Sequence, residues 1–106
     1  MSWKVNHLPE VDKDMENLDG SQRIQVERAI AKVSQNPLPN NEGGYGKPLS
    51  GKLVGNFKIK LKASGIRIVY RLVKVETTMT VVVVGMRADD EVYIEAEQRL
   101  SKYGYI

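Results

Sequence analysis

The chain has 106 residues, 42% hydrophobic and 27% charged, with nine Gly, four Pro, one His and no Cys, a balance that suits one soluble domain with a core of its own. Without cysteine it can build no disulfide framework, thiolate metal site or thiol nucleophile, and His7 alone cannot form a two-histidine acid/base pair. The formal charge of +3 conceals a division: residues 47–87 carry nine Lys or Arg against one acid, Glu76, a net of +8, while the rest of the chain holds seven bases and twelve acids, a net of −5.

Trp3-Lys4-Val5 predicts a short first strand, and Pro9 with Glu10 and Asp12 predicts a helix start. Val11, Met15 and Leu18 recur at i, i+4 and i+7, which gives that helix one apolar face. Asp19-Gly20 ends it. Asp19 or Ser21 can cap a second helix, with Gln22 placed to complete a capping box and Val26, Ile30 and Val33 as its apolar stripe. The pair forms an antiparallel hairpin closed by Asn36-Pro37. From Pro37 to Gly55 the abundance of Pro, Gly and Asn predicts a long connection rather than an element. Gly43, Gly44 and Gly46 lie within it, but no Gly-Lys-Ser/Thr opens a helix there, so a phosphate loop is not expected.

From Asn56 the period changes to two, as Phe57, Ile59 and Leu61 alternate with Lys58, Lys60 and Lys62. Ala63-Ser64-Gly65 turns the chain into a second strand, where Ile66, Ile68, Tyr70 and Leu72 alternate with Arg67, Val69, Arg71 and Val73. Met79 to Val84 contains four consecutive valines, the pattern of a central strand buried on both faces. Asp89 or Asp90 caps a last helix with Val92, Ala96 and Leu100 at helical spacing. Trp3 and Tyr45 read as structural, Tyr103 and Tyr105 as tail rings packed on the core, and His7 as a loop residue. No run of 18 apolar residues and no signal-peptide core is present, so a cytoplasmic protein is the expectation.

Side chains two apart on a strand share a face, roughly 7 Å apart, so Lys58 and Lys60 project together and simple hairpin register adds Arg67. Arg87 follows the valine strand just after Gly85. Four cations converging on one spot suit a polyanion, with nucleic acid the first expectation. The competing reading is the wetted face of an antiparallel sheet.

The run Phe57 to Tyr70, followed by Val84-Gly85-Met86-Arg87 and Glu91-Val92-Tyr93, resembles the RelE branch of the RelE/ParE toxin superfamily. The likeness extends over most of the chain, including Lys47-Pro48-Leu49-Ser50-Gly51. It implies an α+β fold with residues 1–106 as one domain: an N-terminal helical hairpin on a small, mainly antiparallel sheet of about four strands, with a short C-terminal helix. It also implies the toxin of a type II toxin-antitoxin pair, an endoribonuclease that cuts messenger RNA in the ribosomal decoding site. There the 2′-hydroxyl attacks the adjacent phosphate without metal or other cofactor.

Lys58, Lys60, Arg67, Arg87 and Tyr93 stand at the family's active positions, and Lys47, Lys52, Lys62 and Arg71 are candidate contacts to RNA or ribosome. Fixed cations would stabilise charge building on the phosphoryl oxygens, for which the planar fork of Arg67 is suited. Tyr93 would orient or accept the 2′-hydroxyl proton, one lysine is a candidate base, and Arg87 would stabilise the leaving 5′-oxygen as a cation. The implied partners are an antitoxin with an acidic segment, messenger RNA and ribosomal RNA, with operator DNA reached only through the antitoxin and no membrane. Asp89-Asp90, where the family continues more basic, reads as the helix cap. The same fold would also serve a ParE-like inhibitor of DNA gyrase or a non-catalytic RNA-binding module.

Overall fold

The computed structural model describes residues 2–86 and 89–106; Met1, Arg87 and Ala88 lie outside the described residues, as do the side chains of Asp89 and Asp90. One mixed sheet runs in the order β1 (Lys4–His7), β5 (Thr78–Gly85), β4 (Ile66–Val73), β3 (Asn56–Leu61) and β2 (Lys47–Pro48). Only β1–β5 is parallel; the other pairs are antiparallel. The helical hairpin is α1 (Glu10–Glu16) and α2 (Gly20–Val33), and the last helix is α3 (Asp89–Lys102). This is the expected α+β architecture with one strand more than foreseen. β2 escaped the sequence because two residues, one of them a proline, carry no period, and they pair only with Lys58 and Phe57. The segment from Pro37 to Gly55 is accordingly more structured than a plain connection, with 3-10 turns at Asn40–Glu42 and Gly51–Leu53 flanking β2.

Local chemistry explains where the elements begin. The Asp19 side chain accepts from the Gln22 amide at 2.8 Å, and the Gln22 side chain accepts from the Asp19 amide at 3.0 Å, closing the capping box that opens α2. Val81 to Val84 are buried, as a strand flanked by β1 and β4 and covered on both faces requires. Val69 faces Val83 while Tyr70 faces Val81, so Val82 is the extra residue of a bulge. The helical hairpin covers the face of Phe57, Tyr70 and Val81; α3 covers the opposite face. Tyr70 stacks on Phe57 at 5.4 Å and donates to the Pro37 carbonyl at 2.8 Å, and burial pushes its phenol well above the ordinary range.

β1 ends against Val81, which leaves the rest of the β5 edge without a strand neighbour. Two charged side chains satisfy it. The Asp14 carboxylate on α1 accepts from the Val84 amide at 3.0 Å, and the Arg99 guanidinium on α3 donates to the Val82 carbonyl at 2.9 Å. Arg99 and Asp14 are joined in a two-pronged ion pair of 2.6 and 2.9 Å, with exposures of 8% and 9%. Burial works against the Arg99 charge, but the Asp14 carboxylate prevails and holds the guanidinium above its usual range. One helical turn on, Glu10 accepts from Lys102 and from the Tyr103 hydroxyl, each at 2.9 Å.

The C-terminal rings therefore differ from the expectation of core packing. Tyr103 and Tyr105 are exposed, the first held by Glu10 and the second lying on Arg71, because α3 already fills the face they would have covered. His7 likewise is no loop residue: it ends β1, with Nε2 2.9 Å from an Asp12 carboxylate oxygen.

Candidate active site

The β3–β4 register decides which cations meet. Lys58 stands opposite Val69, itself opposite Val83, and Lys60 stands opposite Arg67, itself opposite Gly85. Lys58, Lys60 and Arg67 therefore share one sheet face, as alternation and simple register predict. Gly85, opposite Arg67, adds no side chain of its own to this end of the sheet. Arg67 is half-buried and its guanidinium donates to the Gly65 carbonyl, a bond that holds the planar group near the β3–β4 turn. α3 supplies Tyr93, whose ring centre lies 5.9 Å from the Lys58 ammonium.

The Tyr93 hydroxyl is buried and has no hydrogen-bond partner among the described residues. A buried orphan hydroxyl costs about 1–3 kcal/mol and calls for an explanation, of which a role in chemistry is one; the Asn56 side-chain oxygen is in the same state.

The remaining sequence-derived candidates are spread more widely. Lys47 of β2 pairs directly with Lys58, extending the cationic row to the sheet edge. Lys62 lines a groove between the β3–β4 turn and α2. Lys52 lines a different cleft, of about 650 Å³, with Glu97, Gln98 and Ser101 of α3. Arg71 shares the face of Lys58 and Arg67 but lies under the Tyr105 ring, 3.8 Å from its centre, far along the strand from Arg67. Arg87 lies outside the described residues. No three His, Asp or Glu side chains gather as a metal site would require, and no helix is long and apolar enough to cross a membrane, both among the described residues.

Three features were not foreseen from the sequence. The buried Asp14–Arg99 pair bridges residues 85 apart, although Glu10 and Asp14 at i, i+4 facing Arg99 and Lys102 at i, i+3 is a pattern of complementary helix charges. Arg28 and Lys32 of α2 line the same groove as Lys60 and Lys62. Tyr45 is half exposed, with Lys32 5.2 Å from its ring centre, where a structural ring was expected.

A scan against models of protein families gives no match. Individual relatives do. A RelE-like toxin protein of Escherichia coli is 32% identical over 104 residues, spanning 94% of this chain and 99% of the relative. The mRNA interferase toxin RelE of Escherichia coli is 31% identical over 88 residues, spanning 83% and 86%. A mutant of Escherichia coli toxin RelE superposes in its free state with a TM-score of 0.77 at 27% identity, covering 94% of this chain and 99% of that one. The same mutant bound to a peptide of antitoxin RelB gives 0.71 at 27%, covering 91% and 95%. With an identity above 30% sustained over nearly the full length of both proteins, and the same sheet and helices in space, the chain belongs to the RelE toxin family.

Proposed function

We propose that this protein is the toxin of a type II toxin-antitoxin pair and that its 106 residues act as one endoribonuclease domain cutting messenger RNA in the ribosomal decoding site. The observation that supports this most directly is the group of Lys58, Lys60 and Arg67 on one sheet face beneath Tyr93. The reaction needs no metal. The 2′-oxygen attacks the adjacent phosphorus and gives up its proton to a base among Lys58, Lys60 and Tyr93. The P–O5′ bond then breaks, and the departing oxygen takes up a proton from solvent, to which the base returns the one it received. The products are a 2′,3′-cyclic phosphate and a 5′-hydroxyl.

Negative charge grows on the phosphoryl oxygens during this step, and a guanidinium already fixed in place stabilises it without reorganising. Arg67 takes that role, Lys60 opposite it binds the same phosphate, and Arg87 stabilises the 5′-oxygen. A site without an ordinary neutral-pH acid or base relies on its partner to align the attacking oxygen, which fits a ribosome-bound substrate. The cognate antitoxin is an acidic segment that covers this face, and the likeness to a RelE toxin bound to a RelB peptide supports such a partner.

The test is cleavage of messenger RNA on programmed ribosomes against a naked-RNA control. Wild-type protein should generate 5′-hydroxyl ends only on the ribosome, and Arg67→Ala should lower the rate about 100-fold or more. Undiminished cleavage by the variant would remove Arg67 from the mechanism, and no cleavage by folded wild-type protein would overturn the assignment.

A further inference from the structure

On the other side of the β3 edge, α2 and the β3–β4 turn flank a shallow, open groove of about 460 Å³. Arg28, Lys32, Lys60 and Lys62 line it together with Ala29 and Leu61, and no acidic residue is among its lining residues as far as the described chain extends. Glu27, the acid of the same stretch of α2, faces instead the cleft beside β1. β2 is too short to cover the β3 edge beyond Lys58, so the groove is open along that edge. Lys60 belongs both to this groove and to the candidate active site.

An aromatic platform adjoins it. Tyr45, 48% exposed, sits beside Lys32 on a loop that tight packing holds in place. A Cβ on Gly44 would fall 2.1 Å from the Leu38 carbonyl oxygen, and one on Gly46 would fall 2.6 Å from the Tyr70 hydroxyl. The Tyr45 amide donates to the Asn36 carbonyl at 2.9 Å. The backbone that carries the ring is thus held on both sides of Tyr45, which lowers the ordering cost on binding.

We propose that this groove and Tyr45 form a subsite for single-stranded RNA flanking the scissile bond: Lys32 and Arg28 bind phosphates, Tyr45 stacks on a base, and Lys60 joins the subsite to the active site. Cations tracking a backbone beside a stacking ring are the physical requirements of single-strand binding. An acidic peptide would use the cations but gains little from a ring fixed for stacking. The proposal rests on the ribonuclease reading, and its test is separable from it, because 2′-O-methyl RNA blocks the attacking oxygen and reports binding without cleavage.

Fluorescence anisotropy would be measured with labelled 2′-O-methyl RNA of about four and about twelve nucleotides, lengths that span the usual single-strand site sizes. The proteins are wild type, Tyr45→Ala and the double variant Arg28→Gln/Lys32→Gln, all changes at exposed positions. Each variant should bind the longer strand about tenfold more weakly and leave the shorter one unchanged. The double variant should also lower the salt slope by about 1.4, the share of two phosphate contacts. Equal losses on both lengths, or none, would overturn the proposal. So would a loss seen only with duplex RNA or only with a Glu-rich peptide, which would assign the groove to structured ribosomal RNA or to a protein partner.

Discussion

Asp14→Ala tests the joint on which the position of α3 depends. The Asp14 carboxylate receives three donors: the Val84 amide at 3.0 Å and the Arg99 guanidinium at 2.6 and 2.9 Å. Its removal leaves a guanidinium with 8% exposure opposite the Glu95 carboxylate at 3.1 Å and the Val82 carbonyl. Breaking a buried pair from one side costs about 3–5 kcal/mol, a large part of the 5–15 kcal/mol typical of a whole domain. In a chain of this size that corresponds to a fall in melting temperature of about 20 °C. Arg99→Met should cost a similar amount. The double variant Asp14→Ala/Arg99→Met buries no unpaired guanidinium or carboxylate at this joint and loses the two edge hydrogen bonds and the Arg99–Glu95 bond, so its cost should fall below the sum of the singles by at least about 2 kcal/mol. Urea unfolding with an unchanged slope reads all three. Single losses under about 1 kcal/mol, or an additive double variant, would refute the account of this pair as a buried joint. Because α3 carries Tyr93 six residues before Arg99, the single variants should also lose cleavage ahead of global unfolding.

Tyr93→Phe removes a buried hydroxyl without a partner, so folding stability should stay level or rise by up to about 1 kcal/mol, while ribosomal cleavage falls about 100-fold; a loss of stability would reveal a structural partner instead. Glu10 is held down from 4.5 to about 2, first by its hydrogen bond from Lys102, so the folded state binds that proton less readily than the unfolded chain. The stabilisation is complete above the ordinary carboxylate range and lost as pH falls toward 2. Glu10→Gln should therefore flatten the acid limb of a stability-against-pH curve in this interval, and an unchanged limb would count against the pairing. Gly46→Ala places a methyl 2.6 Å from the Tyr70 hydroxyl and 2.9 Å from the Pro37 carbonyl oxygen; it should cost about 1–3 kcal/mol by overpacking, read as a lower urea midpoint.

Most of the architecture follows from features that local physics makes visible. Alternation at Phe57 to Leu61, the valine run at 81–84 and the Asp19–Gln22 capping box each specify an element without reference to distant residues. The cationic cluster was readable for the same reason, since period-two alternation and an unbulged β3–β4 ladder put Lys58, Lys60 and Arg67 on one face. What stayed hidden depends on tertiary approach. β2 has no period, the Val82 bulge follows from sheet geometry, and Asp14 meets Arg99 only because β1 stops short of the end of β5. Tyr45 was misread because a ring within a Gly-rich loop has no pattern of its own; its exposure results from how Gly44 and Gly46 pack against Leu38 and Tyr70.

The charge division of the chain gains a physical meaning from these contacts. Two of the four acids of α1 hold α3: Asp14 takes Arg99, and Glu10 takes Lys102. Lys58, Lys60, Lys62, Arg28 and Lys32, by contrast, form no ion pair among the described residues. Close packing of like charges along β3 opposes folding through self-repulsion and is relieved only when an anion arrives. A protein arranged for stability alone would intersperse its acids among these lysines. With Asp14 and Glu10 engaged at the far edge of the sheet, these five cations are left without an acidic partner among the described residues, and that separation is the physical argument for the proposed reading of this side of the molecule as a surface for a polyanion rather than a solubilising face.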